Sequence, residues 1–270
     1  MPELPEVETT RRGLLPHVIG REIARVEVRE PRLRWPVAKQ LPRALARMRI
    51  DSLERRGKYL LFGTEAGTLL VHLGMSGSLR YLAAPAPPGT HDHIDVHFDG
   101  GGALRFNDPR RFGSFMLTTA PSAHPLLRNL GPEPLGDEFD ADYLWHASRN
   151  RRVAIKQHVM NGRIVVGVGN IYASEALFRA GIHPRRLAGR ISRARFEPLV
   201  SSIRDVLRDA IDEGGTTLRN FVGGDGKPGY FGGSLRVYDR DGSPCVNCGT
   251  AIERRVLGQR ATFYCPRCQR

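Results

Sequence analysis

Hydrophobic residues in the first 130 positions recur in short runs that are apolar or alternate with polar residues. Such runs, separated by glycine-rich and proline-rich turns such as APAPPGT and DGGG, are typical of β-strands. We expect strands at Ile23–Val28, Tyr59–Phe62, Thr68–His72, Ile94–Phe98, Ala103–Phe106 and Phe112–Leu117. Helical patterns occur at Glu3–Leu15 and Lys39–Ala46. This half of the chain therefore predicts a β-sandwich with flanking helices.

The pattern changes after the GPEPLGDEF stretch, where apolar residues recur at helical spacing. We expect helices at Ala141–Ser148, Arg152–Met160, Ile171–Ala180 and Arg193–Glu213, and a short one at Thr217–Phe221. Gly181 provides a helix stop after the third of these. Alternating segments then predict short strands at Leu235–Tyr238, Ala251–Val256 and Ala261–Tyr264. The second half thus predicts a helical domain followed by a small β-structure.

The composition is that of a folded protein without a membrane anchor. The chain has 270 residues, of which 40% are hydrophobic, enough for a core and for more than one domain. No apolar run approaches the ~18–20 residues of a membrane span. The MPELPEVETT start lacks the basic and apolar regions of a secretory signal. We expect a soluble, cytoplasmic protein.

The charge indicates a polyanionic partner. Lys and Arg total 41 against 28 Asp and Glu, which gives a net charge of +13. Most of the excess is arginine, whose planar fork matches phosphate oxygens, and nucleic acid is the first candidate partner. The alternatives are a basic surface kept for solubility and a genome rich in arginine codons.

Four cysteines near the end of the chain have the spacing of a zinc site. They are Cys245, Cys248, Cys265 and Cys268, two C-x2-C pairs separated by sixteen residues. Four thiolates suit a closed, structural zinc ion, and the metal would supply folding energy to so small a module. Disulfides are the alternative. Arg260 lies between the pairs, where a hairpin tip would present it to nucleic acid; a module for protein contacts is the competing interpretation.

The first residues combine two prolines with two acids. If Met1 is removed, Pro2 offers a free secondary amine beside Glu3, with Glu6 one helical turn further on. An amine and a carboxylate at a helix tip could form a reactive centre. The alternative is an ordinary helix N-terminus, which proline and glutamate both favour.

Two stretches, one between glycine-flanked turns and one on a tight turn, carry residues that suit an opened base stack. HLGMSGSL contains Met75, and NDPRRFGS contains Arg110, Arg111 and Phe112. An apolar wedge and an aromatic ring can enter a base stack, and an arginine can read an orphaned base. Met75 could instead belong to the core.

Two further segments could contact a ligand through backbone N–H groups. In VGVGNIYASE, Asn170 follows glycines at the expected N-cap of a helix, where phosphate can bind. In residues 223–233, six of eleven positions are glycine, so the backbone could approach a ligand closely. A passive linker is the other interpretation of that stretch.

These motifs occur together in one order along the chain. They are PELPEVET, RRGKYLLF, HLGMSGSLR, HDHIDV, NDPRRFG, LGPEPL, VVGVGNIYASE, GIHP, GGTTLRNF, DGKPGYF and QRATFYCPRCQ. From residue 2 to residue 268 the sequence resembles the bacterial formamidopyrimidine-DNA glycosylase (Fpg/MutM) family. The resemblance implies an α+β, multidomain protein: a catalytic β-sandwich with flanking helices over 1–132, a helix-two-turn-helix DNA-binding domain over 133–222, a glycine-rich lesion-binding loop over 223–234 and a four-cysteine zinc-finger β-hairpin over 235–270. DNA would lie in the cleft between the domains.

The resemblance also assigns roles to the catalytic candidates. Pro2, after removal of Met1, matches the nucleophile, Glu3 the acid/base, and Lys58 the lysine of β-elimination. From its chemistry alone, a lysine at this position could hold a phosphate or protonate the leaving base.

Other matching positions concern DNA. Met75, Arg110 and Phe112 match the residues that fill the gap left by a flipped base. DNA-contacting positions match at His91, Arg111, Asn170 and Arg260, and Arg260 is also a candidate proton donor for δ-elimination. Zinc is the implied cofactor, held by the four cysteines.

The implied function is a bifunctional DNA glycosylase/AP lyase of base excision repair, a glycosidase that excises 8-oxoguanine and formamidopyrimidines through a Pro2 imine and then cleaves the strand by β,δ-elimination. The implied partner is damaged double-stranded DNA, and the chain is expected to be monomeric and associated with the bacterial nucleoid. The alternative is an endonuclease VIII-like enzyme that acts on oxidised pyrimidines. The PELPEVE start argues against it, because such an enzyme is expected to begin with PEGPE. A non-catalytic zinc-containing DNA-binding regulator would leave the N-terminal acids and the glycine-rich loop without a role.

Overall fold

The computed structural model describes residues 1–84, 86–216 and 230–270, which form two compact units. The first unit comprises Met1–Arg128 and Ile211–Gly232, and the second comprises Asn129–Ala210 and Gly233–Arg270. The expected helix at Thr217–Phe221 and most of the glycine-rich loop lie outside the described residues.

The first unit is a sandwich of two four-stranded antiparallel sheets, ordered β1-β6-β7-β5 and β2-β3-β4-β8. The strands are β1 Ile23–Val28, β2 Ser52–Arg56, β3 Tyr59–Thr64, β4 Gly67–His72, β5 Ser78–Leu82, β6 Asp92–Phe98, β7 Ala103–Asn107 and β8 Ser114–Thr118. Helices α1 Leu4–Val18 and α2 Leu41–Leu45 accompany them. The predicted β-sandwich with flanking helices is therefore confirmed.

Helix α1 packs against the sandwich through one apolar face. Val7, Leu14 and Val18 recur at spacings of seven and four, so they share a face, and all three are buried in the core. Phe62 and Phe106 of the two sheets belong to the same cluster. The helix contacts β2, β3 and β5, and this packing fixes its N-terminus relative to these strands.

The expected strand at Phe112–Leu117 begins two residues too early. The buried Asp108 carboxylate accepts the Gly113 N–H at 2.7 Å, which holds the preceding residues in a turn. Phe112 is consequently exposed, and the strand starts at Ser114.

The second unit is helical and ends in a β-hairpin. Its elements are α3 Ala141–Ser148, α4 Ile155–Val159, α5 Asn170–Arg179, α6 Phe196–Asp212, whose last two residues are assigned to the first unit, β9 Glu253–Leu257 and β10 Arg260–Tyr264. Gly181 has a φ of 64°, as expected of the residue that ends α5. Helix α4 begins at Ile155 rather than Arg152, because Ala154 pairs in a β-bridge with Leu187. Among the described residues, no helix combines the length and hydrophobicity of a membrane span.

The predicted strand at Leu235–Tyr238 is wrong. The backbone N–H groups of Arg236, Val237 and Tyr238 donate instead to the buried Glu175 carboxylate of α5, at 3.0, 3.0 and 2.8 Å. The Glu175 side chain thus accepts the hydrogen bonds that these N–H groups would otherwise donate to a neighbouring strand. This clamp joins α5 to the segment that leads into the cysteine module.

Candidate functional site

The N-terminus of α1 buries two carboxylates. Glu3 is the N-cap, Pro2 precedes it, and Pro5 is the proline within the first turn. Glu3 and Glu6 are 3% and 2% exposed and form a reciprocal capping box, in which the Glu6 carboxylate accepts the Glu3 N–H at 2.7 Å. The helix dipole favours negative charge here. Pro2 is therefore held, buried, at a helix tip beside two acids.

Glu6 also reaches a distant part of the first unit. Its Oε1 accepts the backbone N–H of Thr216 at 2.8 Å. Thr216 is the last described residue before the glycine-rich stretch. The Glu6 carboxylate therefore accepts hydrogen bonds both from the N-cap of α1 and from the residue that precedes that stretch.

Lys58 lies in the two-residue turn between β2 and β3. Arg56 and Tyr59 pair across the turn, and Gly57 adopts a left-handed φ of 57°. Tyr59 in turn pairs with His72 of β4. Burial, followed by the charges of Lys58 and Arg34, lowers the pKa of His72 to about 4. His72 is therefore a neutral imidazole near pH 7.

His72 supports the loop that carries Met75. Its Nδ1 accepts the Gly74 N–H at 3.0 Å. Gly74 has a φ of 68°, and a Cβ there would lie only 2.6 Å from the Gly113 nitrogen. The Met75 loop therefore touches the loop that carries Phe112. Met75 and Phe112 are 37% and 40% exposed, so two apolar side chains project from adjacent loops, and Met75 is not a core residue.

Asp108 organises the Phe112 loop. Its N–H donates to the His91 carbonyl at 3.0 Å, and its carboxylate accepts the Gly113 N–H. The Arg110 guanidinium lies 4.8 Å from the centre of the Phe112 ring. His91 therefore lies on a segment that a backbone hydrogen bond joins to the loop of Arg110 and Phe112, and all three residues are exposed.

Arg111 differs from Arg110. It adopts a left-handed φ of 55°, and its Nη1 lies 3.4 Å from a Glu30 carboxylate oxygen. Hydrogen bonds from Arg32, with a smaller contribution from the Arg111 charge, lower the pKa of Glu30 to about 2. Arg111 is therefore paired within the protein.

The prediction that Asn170 is the N-cap of its helix is wrong. Gly169 is the N-cap and Asn170 the first helical residue. Its Nδ2 donates to the Ala261 carbonyl at 3.0 Å, and the buried Lys156 ammonium donates to the same carbonyl at 3.2 Å. Both side chains fix β10 at the residue after Arg260.

Arg260 is exposed at the tip of the hairpin, as predicted. Gly258 and Gln259 form the two-residue turn, with φ values of 55° and 62°. Positive φ at both positions is the geometry of a type I′ turn. The pairing of Arg260 with Leu257 places it directly after this turn.

The four cysteines hold one structural zinc ion. Their Sγ atoms all lie within 4.8 Å of one another, with Cys245–Cys268 at 3.9 Å and Cys248–Cys265 at 3.6 Å. A tetrahedral ion with Zn–S bonds of about 2.3 Å requires Sγ–Sγ distances of about 3.8 Å. The donor set therefore fits zinc with all four positions filled by protein. Phe178 and Phe263 pack into the same buried cluster as two of the cysteines.

Sequence reasoning missed several supporting residues. These are His72 beneath the Met75 loop, Lys156 beneath the hairpin and Glu175 beneath residues 236–238. The sequence indicates Lys156 and Glu175 only in that each is a charged residue at an apolar helix position.

Models of three domains match the chain. They are the formamidopyrimidine-DNA glycosylase N-terminal domain over residues 1–115, the H2TH domain of the same enzyme over 130–222, and a zinc finger found in FPG and IleRS over 242–270.

Similar proteins cover the whole chain. Formamidopyrimidine-DNA glycosylase of Stutzerimonas stutzeri is 58% identical over 270 residues, all of both chains. The crystal structure of the MutM protein of Thermus thermophilus has a TM-score of 0.89 at 39% identity, over 99% of this chain and 98% of that one. A Lactococcus lactis FPG mutant in complex with Fapy-dG-containing DNA has a TM-score of 0.92 at 34% identity, over 100% of both.

These similarities define a DNA glycosylase of base excision repair. The chain belongs to the formamidopyrimidine-DNA glycosylase family, whose members are glycosylases with AP lyase activity.

Proposed function

We propose that the protein excises 8-oxoguanine and formamidopyrimidines from duplex DNA through a Pro2 imine and cleaves the strand by β,δ-elimination. The observation that carries this proposal is the burial of Pro2 at the tip of α1, beside the Glu3 and Glu6 carboxylates. The Lactococcus lactis relative bound to Fapy-dG DNA supports the lesion class.

The proposed chemistry begins when removal of Met1 frees the Pro2 amine. A target base in a duplex must first be extruded. The Pro2 nitrogen then forms a bond to the sugar C1′ and loses its own proton, while the base leaves with the electron pair of the glycosidic bond and takes up a proton. Opening of the C1′–O4′ bond, with a proton delivered to O4′ by Glu3, yields an iminium ion. A secondary amine leaves no N–H to lose, so the adduct stays cationic.

The cationic adduct then acts as an electron sink. Loss of a C2′ proton breaks the C3′–O bond and releases the 3′ phosphate, and loss of a C4′ proton similarly releases the 5′ phosphate. Glu3 moves protons in these steps. Lys58 holds a phosphate or protonates the leaving base, and Arg260 is the proposed proton donor for δ-elimination.

The remaining site residues are proposed to hold the DNA. Met75, Arg110 and Phe112 fill the gap left by the extruded nucleotide, and their projection from touching loops supports this role. His91, Asn170 and Arg260 contact phosphates. Arg111 is proposed as a weaker contact because it must first leave Glu30.

The parts of the chain are proposed to divide this work. Residues 1–132 catalyse the reaction. Residues 133–222 and the zinc finger over 235–270 bind the DNA backbone, and residues 223–234 bind the lesion. The partner is double-stranded DNA containing oxidised purines, bound by a monomer.

The test is a duplex with one 8-oxoguanine opposite cytosine, incubated with the protein and borohydride. We expect a covalent protein–DNA adduct whose peptide map places the link on Pro2. Pro2→Gly should still bind the lesion but lose most cleavage. An adduct with an oxidised pyrimidine duplex alone would overturn the substrate class, and full activity of Pro2→Gly would overturn the nucleophile.

A further inference from the structure

Arg55 connects helix α1 to the turn that carries Lys58. Its Nε donates to the Glu8 carboxylate at 3.1 Å, and its Nη1 donates to the Gly57 carbonyl at 3.0 Å. The Arg55 and Glu8 side chains are 12% and 11% exposed. Because a guanidinium presents its donors in a rigid fork, the two bonds fix Gly57 relative to α1.

Glu8 is itself held in place. Arg11 donates to its carboxylate at 2.8 and 3.1 Å, and the same guanidinium donates to the Leu53 carbonyl of β2 at 3.3 Å. Burial raises the pKa of Glu8, but hydrogen bonds and charges from Arg11 and Arg55 outweigh it and leave the pKa below its ordinary value. Glu8 is therefore an ionised anchor near neutral pH, and α1 and β2 are joined at two points.

The position of the Gly57 carbonyl decides where Lys58 points. Gly57 is the first residue of the two-residue turn and has a left-handed φ of 57°. Its carbonyl lies in the same rigid peptide plane as the Lys58 nitrogen. Rotation of that plane would redirect Lys58. The other end of the connection is α1, in which Glu8 lies five residues, roughly 7–8 Å along the axis, from Glu3.

We infer that Arg55, anchored by Glu8, is a positioning residue that holds Lys58 at a fixed place relative to the N-terminal tip of α1. The inference rests on the proposed function, in which the adduct forms on Pro2 and Lys58 assists. A displacement of about 1 Å can cost roughly a hundredfold in rate, so such a connection affects catalysis without touching DNA.

A double-mutant cycle with Lys58 tests the inference. Single-turnover cleavage of a duplex with one 8-oxoguanine opposite cytosine is measured for Arg55→Met, for Lys58→Met and for the double variant. Arg55→Met should slow cleavage by roughly tenfold or more in the wild-type background. In the Lys58→Met background it should change the rate by less than about twofold, because nothing remains to be positioned. Equal losses in both backgrounds would show a purely structural role and overturn the inference.

Arg12 offers the matched control. It also donates to Glu8, at 3.1 Å, but its side chain is 55% exposed. Arg12→Met removes an ion pair with the same partner, and it should leave the cleavage rate unchanged. A loss equal to that of Arg55→Met would assign the effect to Glu8 charge alone and contradict the inference.

The cycle also separates this inference from the proposed function. If Arg55→Met does not fold, as judged by its thermal transition, Glu8→Gln takes its place in the same cycle. Full activity of Lys58→Met would refute both the role of Lys58 and its positioning. An active Pro2→Gly variant would refute the proposed chemistry, whereas additive losses with Pro2 still essential would refute the positioning alone.

Discussion

Glu6 and Thr216 are joined by a hydrogen bond across 210 positions of the chain, with the Thr216 N–H 2.8 Å from the Glu6 carboxylate. The other carboxylate oxygen accepts the Glu3 N–H at 2.7 Å. Both oxygens of one buried side chain therefore serve as acceptors, one at the N-terminal tip of α1 and one at the residue that precedes the glycine-rich stretch.

Glu6→Gln should therefore be damaging although it is nearly isosteric. The amide NH2 must face one of two N–H donors, which leaves a buried donor without an acceptor and costs about 1–3 kcal/mol. We expect the midpoint of urea unfolding to fall and the excision of 8-oxoguanine to slow. Glu65→Gln, at an exposed turn, is the matched control. Wild-type stability and activity of Glu6→Gln would show that this carboxylate does not join the two segments.

The Glu175 clamp gives a second prediction of the same kind. Three N–H groups share this carboxylate, so Glu175→Gln should weaken at least one bond and loosen residues 236–238, at a cost of about 1–3 kcal/mol. Hydrogen exchange of these three amides measures the effect directly. Unchanged protection of the amides in Glu175→Gln would contradict the clamp.

The elements that the sequence predicted well are those with local periodicity. β1 and α3 were predicted at their observed bounds, because their own residues carry the pattern. β2 and β5 were missed: in SLERR only Leu53 is buried, and in SLRYL the burial is confined to the first two residues. The strand expected at Leu235–Tyr238 does not form, because the Glu175 carboxylate of α5 accepts the hydrogen bonds of its backbone N–H groups.

The candidate site shows the same division. Pro2, Met75 and Arg260 could be nominated from local sequence: Pro2 from its place beside two acids, Met75 from its neighbouring glycines and Arg260 from its place between the cysteine pairs. Their supports could not, because a single sequence does not show which partner a buried polar side chain will find. The bonds from Thr216 to Glu6 and from Gly74 to His72 are determined by the tertiary fold.

The low pKa of His72 predicts acid sensitivity. Its folded pKa of about 4 lies below the ordinary value of 6.5, so the unfolded state binds more protons between these two pH values. Stability should therefore be fully present above about pH 6.5 and fall as the pH drops towards 4, by about 3 kcal/mol from this residue. Urea unfolding at pH 7 and 4.5 measures the loss. His72→Gln should show a smaller pH dependence; an unchanged one would exclude His72 as the cause.

Removal of zinc should weaken DNA binding. Cys248→Ala leaves three thiolates, so the ion should dissociate and the hairpin that carries Arg260 should lose its support. Metal analysis and duplex binding report the two effects. Val246→Ala, at a 55% exposed neighbour, should retain both zinc and binding. A zinc-free Cys248→Ala variant with full binding would mean that the module is dispensable.

Arg260→Ala should weaken DNA binding irrespective of sequence. Arg260 lies at the exposed tip of the hairpin, and the adjacent Ala261 carbonyl is held by Asn170 and Lys156, so the guanidinium is presented from a fixed base. A phosphate contact releases a counterion, so its loss should reduce the slope of log K against log salt by about 1. Binding of a duplex at several salt concentrations measures that slope. Arg267→Ala removes an equal charge from an exposed position outside the tip and should leave the slope closer to that of the wild type. Identical slopes for wild type and Arg260→Ala would exclude the phosphate contact, whereas a reduced slope with weaker cleavage would be consistent with both a DNA contact and the proposed proton transfer by Arg260.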